Sequence, residues 1–293
     1  MLNRLMYNLF DWEEPESFGV RTYLRVFEFF VAAYSLIYAW SWGFYIRKIH
    51  DVVLPLGLAN YINDEIFFGN DLALWLAGLL TLLTTAGFLG RGRRFRWAYL
   101  AAFPLLHLLY VTRFSLGEIP HSSNLVGFGL LGLGLGFVFF KDRLKALSFG
   151  YGLMIFFIGL GYTTAGISKL VASGVTWVDG HHLWLWIAEK STDVLSGYGS
   201  FELNALQEVA LSSRTAATAI LGVGLLTELS AFLLWFKRLR PWITLAVIGM
   251  HIGIYYSMNI FFLSYMIGLV IVGFPWHLLL NRLKSRGNPA PKP

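Results

Sequence analysis

Apolar residues are concentrated in eight long runs, which are separated by shorter polar or charged connections. A helix that crosses the hydrocarbon core of a bilayer needs about 20 predominantly apolar residues. The runs are close to that length, so the pattern predicts an all-α fold, a polytopic helical membrane bundle of eight transmembrane helices. We place these helices near residues 24–46, 72–90, 97–116, 120–140, 148–171, 215–236, 241–258 and 260–281.

The chain shows no internal repeat of about 20–50 residues, the period that is typical of repeat architectures. We therefore assign residues 1–286 to a single transmembrane domain. The first apolar run is too long for a signal-peptide core and lacks a small-residue cleavage site, which predicts a retained helix. The Gly/Pro-rich tail at 287–293 is predicted to be disordered.

The basic residues test this arrangement, because cytoplasmic connections of membrane proteins are enriched in Lys and Arg. Seventeen of the 23 basic residues fall in connections on one predicted side. The opposite side carries ten acidic residues between Asp51 and Glu208. The asymmetry predicts that both ends of the chain lie in the cytoplasm.

Composition supports a lipid environment, because 56% of the residues are hydrophobic and only 14% are charged. Basic cytoplasmic connections explain the net charge of +6 without a nucleic-acid partner. The chain has no cysteine, which excludes disulfides, thiolate nucleophiles and Cys-ligated metal. Any redox chemistry would therefore need a bound cofactor.

Two long connections, near 47–71 and 172–214, fall on the predicted outer side, and this favours function at that face. The second connection contains the run His-Leu-Trp-Leu-Trp-Ile-Ala at 182–188, which predicts a short helix lying in the membrane interface. Trp184 and Trp186 are then either membrane anchors or part of a lid over a pocket. Both interpretations stay open.

Ionisable side chains are costly in hydrocarbon, so those inside predicted spans are candidate functional residues. Lys169 ends the fifth predicted helix, His121 opens the fourth, and His251 lies about two turns inside the outer end of the seventh, one helical turn from Tyr255. The helix directions place Lys169, His121 and His251 at one depth near the outer face. The alternatives are that Lys169 snorkels to water, that His121 serves as a helix cap and that His251 is a hydrogen-bonded structural residue.

Glu228 and His107 are predicted to lie deeper and to have structural roles. Glu228 is expected to bond to a neighbouring helix or to pair with a cation such as Arg25 or His107. Arg25 is also three residues before Glu28, a spacing that favours an ion pair on one helix face. Adjacent histidines such as His181 and His182 point in different directions on a helix, so no metal site is predicted.

The segment Gly-Tyr-Thr-Thr-Ala-Gly-Ile-Ser-Lys-Leu at 161–170, followed by Gly-Val-Thr-Trp-Val-Asp-Gly at 174–180, resembles a known motif. It is similar to the Ala-Gly-x-x-Lys-Leu and Trp-x-x-Gly pattern of the HTTM family, the membrane module of vitamin K-dependent γ-carboxylase. Three further matches occur in the family's order: Arg25-Val-Phe, His121-Ser-Ser, and His251 before Phe261-Phe262. The resemblance covers about residues 18–280 and is strongest between Tyr162 and Gly180.

The resemblance implies that Lys169 is the base that deprotonates a reduced quinone resembling vitamin K, and that His121 is a polar group supporting the reaction. Desolvation lets an amine act as such a base near neutral pH. Tyr162, Trp177 and Trp184 would flank the ring, and His251 and Tyr255 are further candidate ligand-binding residues. The expected location is the bacterial cytoplasmic (inner) membrane, with a periplasmic or extracellular functional side.

Two departures limit what the resemblance implies. The paired lysines of the family are Ser168 and Lys169 here, and the chain does not continue into the large lumenal domains of the carboxylase. Short bacterial members of the family include a toxin maturation factor. The alternative to a quinone-binding, carboxylase-like lyase is therefore a non-enzymatic accessory subunit or maturation partner of another membrane or secreted protein.

Overall fold

Twelve α-helices occur in the part of the chain that the structure describes, and no β-strand occurs there. The structure is a computed structural model and describes residues 2–49, 61, 63–90, 95–115 and 121–287. Short 3₁₀ helices cover Asp64–Phe67, Gly174–Val178 and Ala231–Trp235. The helices are α1 (Leu2–Phe10), α2 (Phe18–Ile46), α3 (Leu72–Leu89), α4 (Ala98–Ser115), α5 (His121–Phe139), α6 (Arg143–Ser173), α7 (Gly180–Tyr198), α8 (Ala205–Ser212), α9 (Arg214–Leu229), α10 (Arg240–Met258), α11 (Leu263–Gly273) and α12 (Trp276–Gly287).

Every apolar run that predicts a span contains helix, but the last run is divided. The expected helix over 260–281 is instead α11 and α12, which are bent by 61° at their break. Pro275 lies in that break, and proline lacks the N–H group that would continue a helix. The short helix expected at 182–188 lies within α7, which is longer, with 19 residues, and its place in the membrane interface stays a prediction.

Within the described residues, four helices are long and apolar enough to cross a membrane, or five when the bent pair counts as one span. They are α2, α3, α6 extended to Val178, and α9 extended to Trp235; the bent pair is α11 with α12. These apolar helices indicate a membrane protein. The predicted number of eight spans and the cytoplasmic position of both ends stay predictions.

The chain divides into two compact units. Unit 1 contains Met1–Ile155 and Pro275–Pro293, and unit 2 contains Phe156–Phe274. The single transmembrane domain and the disordered tail also stay predictions, and residues 288–293 lie outside the described part of the chain.

Unit 1 is organised around α2, which packs against α3, α4, α5 and α12. Ser17 caps the start of α2, where its side chain accepts from the backbone N–H of Val20. The same turn of α2 lies directly on α12: a Cβ atom on Gly19 would come within 2.1 Å of the carbonyl oxygen of His277. The backbone N–H of Gly19 donates to Asn281 Oδ1 at 2.6 Å. The close approach of α12 to α2 therefore requires glycine at this position.

A buried carboxylate joins three further parts of unit 1. Glu28 is 0% exposed and accepts from Arg25 Nη1 at 2.6 Å, as its i,i+3 spacing predicts. It also accepts from Arg143 Nη2 at 2.7 Å and from the Tyr99 hydroxyl at 2.9 Å. Arg143 in turn donates to the carbonyl oxygens of Phe88 and Gly90. Through these contacts the network connects α2 with α4, with the start of α6 and with the end of α3.

In unit 2, α9 packs against α7, α8 and α10. Local signals in the sequence explain where these helices begin. Asp179 caps α7, Asn204 and Gln207 form a capping box at α8, and Ser213 caps α9. The core between α7, α8 and α9 consists of Leu183, Ile187, Ala210, Ala217 and Leu221.

Candidate functional site

Lys169 forms an ion pair with Glu228 inside unit 2. Its Nζ atom lies 2.8 Å from Oε1 and 2.7 Å from Oε2 of the carboxylate. The side chains are 27% and 13% exposed, so the pair is largely withdrawn from the surface. A Cβ atom on Gly166, one turn before Lys169, would lie 3.2 Å from Glu228 Cβ, so the small residue admits α9 close to α6. Lys169 is thus paired across two helices rather than extended toward water.

A cavity of about 810 Å³ opens beside this pair. Trp177, on the 3₁₀ helix that follows α6, shares the wall with Lys169, whose Nζ lies 5.4 Å from the centre of the indole ring. At that distance the ammonium is attracted to the face of the ring. Of the three aromatic residues expected to flank a ligand ring, Trp177 lines this cavity, whereas Tyr162 and Trp184 do not.

The rest of the cavity wall is mainly apolar and comes from α7, α8, α9 and α10. Gly224, Gly249 and Gly253 belong to it, and a Cβ atom added at any of the three would meet no atom within 4 Å. The glycines therefore leave space inside the cavity. The longer apolar residues of the wall are Leu183, Trp186, Leu206, Ile220, Leu221, Val223, Met250, Ile254, Met258 and Ile260.

The tryptophans of α7 pack within unit 2. Trp186 lines the cavity, and its ring centre is 5.7 Å from that of Trp177. The Trp184 indole N–H donates to the carbonyl oxygen of Ala210 at 2.6 Å. These contacts favour the interpretation of α7 as a cover over a pocket rather than as a helix that only anchors in lipid.

The start of α7 is attached to the start of α9. Asp179 accepts two hydrogen bonds from the Arg214 guanidinium, at 3.0 and 2.6 Å, and one from the backbone N–H of His181. The Gly180 N–H donates to Thr218 Oγ1 at 2.9 Å. The hydrogen bonds from Arg214 and from His181 lower the pKa of Asp179 from 3.8 to about 2.

Acid should therefore release the start of α7 at an unusually low pH. A carboxyl group with a lowered pKa contributes stability above its usual pKa and loses it as the pH falls through the folded value. We expect the protection factors of the amides in the first turn of α7, which correct for the intrinsic pH dependence of exchange, to stay high at pH 4 and to decrease as the pH falls toward 2. Asp179→Asn keeps a side-chain oxygen for the cap and should abolish this pH dependence; a transition retained in that variant would contradict the assignment.

Tyr162 and His251 form a second polar cluster, which is buried. The Tyr162 hydroxyl is hydrogen-bonded to His251 Nε2, and the Tyr265 ring lies against both rings. Phe262 covers another side of the histidine, with ring centres 4.9 Å apart. Neither Tyr162 nor His251 is part of the described cavity wall. A structural, hydrogen-bonded histidine, the alternative to ligand binding, is consistent with these contacts.

The remaining candidates lie in separate places. Tyr255 packs against Tyr256 and Phe261. In unit 1, His107 lies between the rings of Phe103 and Tyr110 and lines a small cavity of about 110 Å³. α5 begins at His121, whose side chain lies outside the described residues, so its predicted depth stays a prediction.

Glu228 bonds to a neighbouring helix, as one alternative expected, but its partner is neither Arg25 nor His107. Arg25 is bonded to Glu28, and the cation on Glu228 is Lys169. His181 and His182 have different neighbours, since His181 Nδ1 is 3.4 Å from Asp179 and His182 Nδ1 is 3.0 Å from the Trp177 carbonyl oxygen. Sequence reasoning also missed Glu189 and Lys190, adjacent charged residues of α7 that line the cavity.

Comparisons with models of known protein families, with curated proteins and with solved structures find no match. The resemblance to the HTTM family stays a prediction. The cavity, its ion pair and the membrane-length helices are therefore the features from which a function is inferred.

Proposed function

We propose that this chain is an integral membrane protein that binds a lipid-soluble, quinone-like ligand in the cavity of unit 2, with the Lys169–Glu228 pair as its polar recognition group. The proposal includes membership of the HTTM family, eight transmembrane helices and cytoplasmic termini. It also includes the bacterial cytoplasmic membrane as the location, with the functional side outside.

The proposal rests on the combination of a mainly apolar cavity with two charged pairs, of which Lys169–Glu228 is the less exposed. Small-molecule pockets are typically about 300–1,000 Å³ and present a few placed polar groups on mostly apolar walls. The cavity of about 810 Å³ falls within that range. Its walls suit a hydrocarbon tail or ring, and the ion pair suits a carbonyl or hydroxyl group.

The chemistry of the pair supports recognition of such a group. A lysine ammonium has three N–H donors, and the two contacts to Glu228 leave one donor for a ligand carbonyl. The carboxylate oxygens can accept from a ligand hydroxyl.

Filling the cavity should prevent ligand binding without weakening the fold. Gly224→Leu places an isobutyl group in open space inside the cavity, where it takes up part of the volume that a ligand would fill. We therefore expect the affinity of the protein for the ligand to fall at least about tenfold. Binding is measured with a photoactivatable short-chain quinone in lipid nanodiscs, with the labelled peptides mapped by mass spectrometry.

Gly222→Leu is the matched control. Gly222 is on the same helix and has equal space for a Cβ atom, but it is not part of the described cavity wall. Both variants replace a helical glycine by a good helix former, which stabilises a helix by about 1 kcal/mol. Labelling that is reduced equally by both substitutions, or by neither, would exclude the cavity as the ligand site. The alternative is an accessory subunit or maturation partner of another protein. It is supported if the cavity binds no ligand and if Lys169→Ala changes neither the complexes that the chain forms with a partner protein nor the cellular phenotype.

A further inference from the structure

The cavity wall contains as many carboxylates as cations. Its ionisable side chains are Lys169, Glu228, Glu189 and Lys190. Lys169 is held by both oxygens of Glu228, and Lys190 lies 3.2 Å from Glu189 and 2.9 Å from Asp193. Among the described residues of the wall, each cation therefore has a carboxylate within contact distance.

This balance determines which headgroups the cavity can accept. An anionic headgroup that reaches for Lys169 must also approach Glu228, because both carboxylate oxygens already lie within 2.8 Å of the same Nζ atom. Like charges at such distances repel, and more strongly where water is scarce. A neutral carbonyl or hydroxyl meets no such repulsion and can use the third N–H of Lys169.

Glu228 contributes more to this repulsion than Glu189 does. The Glu228 side chain is 13% exposed, whereas that of Glu189 is 62% exposed, so water and salt screen the charge of Glu189 far more. Lys190 also keeps a second carboxylate partner, Asp193, when Glu189 is removed. The two glutamates therefore provide a matched pair, of which one is expected to control selectivity.

We infer that Glu228 is a specificity-determining residue, which restricts the cavity to electrically neutral amphiphiles and excludes anionic lipids with the same tail. Specificity of this kind comes from an element that repels the wrong ligand, as well as from contacts with the right one. The inference rests on the proposed function, since it assumes that the cavity holds a lipid-soluble ligand. Quinones and quinols satisfy the requirement for a neutral headgroup.

Two probes with the same tail, one with a neutral headgroup and one with an anionic headgroup, test the inference. They are hexadecanol and hexadecyl sulfonate, which is ionised at any accessible pH, each with the same photoactivatable diazirine in its tail. The intact protein is labelled in nanodiscs of zwitterionic lipid, and labelled positions on α9 and α10 are mapped by mass spectrometry. We expect the wall of the unsubstituted protein to favour the alcohol by about tenfold or more, a typical discrimination for an unpaired charge.

Glu228→Gln should raise labelling by the sulfonate about tenfold and remove the preference, because Lys169 then carries an uncompensated charge. Glu189→Gln should leave the preference unchanged. Thr227→Lys adds a cation to the same wall while keeping Glu228, so it should also raise labelling by the sulfonate. This variant replaces Glu228→Gln in the test if Glu228→Gln does not fold.

The outcomes separate this inference from the proposed function. Equal labelling of the unsubstituted wall by both probes would overturn the selectivity but leave a ligand-binding cavity. An equal response of Glu189→Gln and Glu228→Gln would overturn the assignment to Glu228. If neither probe labels α9 or α10, the proposed function fails, and the inference fails with it.

Discussion

Replacing Glu28 by alanine should destabilise unit 1 by about 3 kcal/mol, because two arginines lose the carboxylate that they share. Glu28 is fully buried and accepts from Arg25, Arg143 and Tyr99. Breaking a buried ion pair from one side costs about 3–5 kcal/mol. The lower end applies because the arginine side chains are partly exposed. The measurement is the change in free energy of unfolding in detergent micelles.

Glu16→Ala is the control for this substitution. Glu16 also forms an ion pair, with Arg21, but both side chains are mostly exposed. Exposed pairs contribute about 0–1 kcal/mol, since water solvates both charges when the pair is broken. If Glu28→Ala lowers the free energy of unfolding by no more than Glu16→Ala does, the network around Glu28 does not stabilise the packing of α2, α3, α4 and α6.

Only part of this network was predictable from the sequence. Arg25 and Glu28 are three residues apart, and helical spacing alone predicts their contact. Arg143 and Tyr99 are distant in sequence, and the basic residues near 143 were interpreted only as a marker of the cytoplasmic side. A carboxylate within an apolar run needs compensation from other helices as well. That requirement indicates that Glu28 has partners on other helices, but it does not identify them as Arg143 and Tyr99.

The helices themselves were largely predictable, because apolar length and caps act locally. Ser17, Asp179 and Ser213 each precede a helix in the structure. The division of the last run was missed, although Pro275 was visible, because the apolar count alone does not reveal a bend of 61°. Local chemistry thus predicts where helices occur better than it predicts their direction.

The candidate site was half predictable. The motif singled out Lys169 and Trp177, which share a cavity wall, whereas Tyr162 and Trp184, expected beside the same ring, are not part of it. The partner of Lys169 was missed because the end of the apolar run suggested that the lysine lies at the outer surface. The helical segment continues nine residues further, to Val178, and Lys169 meets Glu228 of the neighbouring α9. An apolar run alone does not reveal which residue of another helix a lysine will meet.

Removing either member of the Lys169–Glu228 pair should destabilise unit 2 by about 2 kcal/mol, and removing both should restore most of that loss. The single substitutions Lys169→Met and Glu228→Leu each leave one charge without its partner, in a place that is only 13–27% exposed. The double substitution removes both charges and fills the space with apolar groups, which is often neutral for stability. Unfolding of the three variants in detergent gives the coupling energy.

Ligand binding should respond differently from stability in the same three variants. If the pair is the polar recognition group of the cavity, quinone labelling falls in the double variant even though its fold is restored. Additive losses of stability would show that the two side chains do not interact, and the ion pair would then be irrelevant to the fold. Full quinone labelling in the stable double variant would show that the apolar walls alone hold the ligand. If the double variant folds normally but is no longer labelled, the pair is needed for ligand recognition and not for stability. Recognition then explains why the protein keeps two charges in a place where apolar residues would be equally stable.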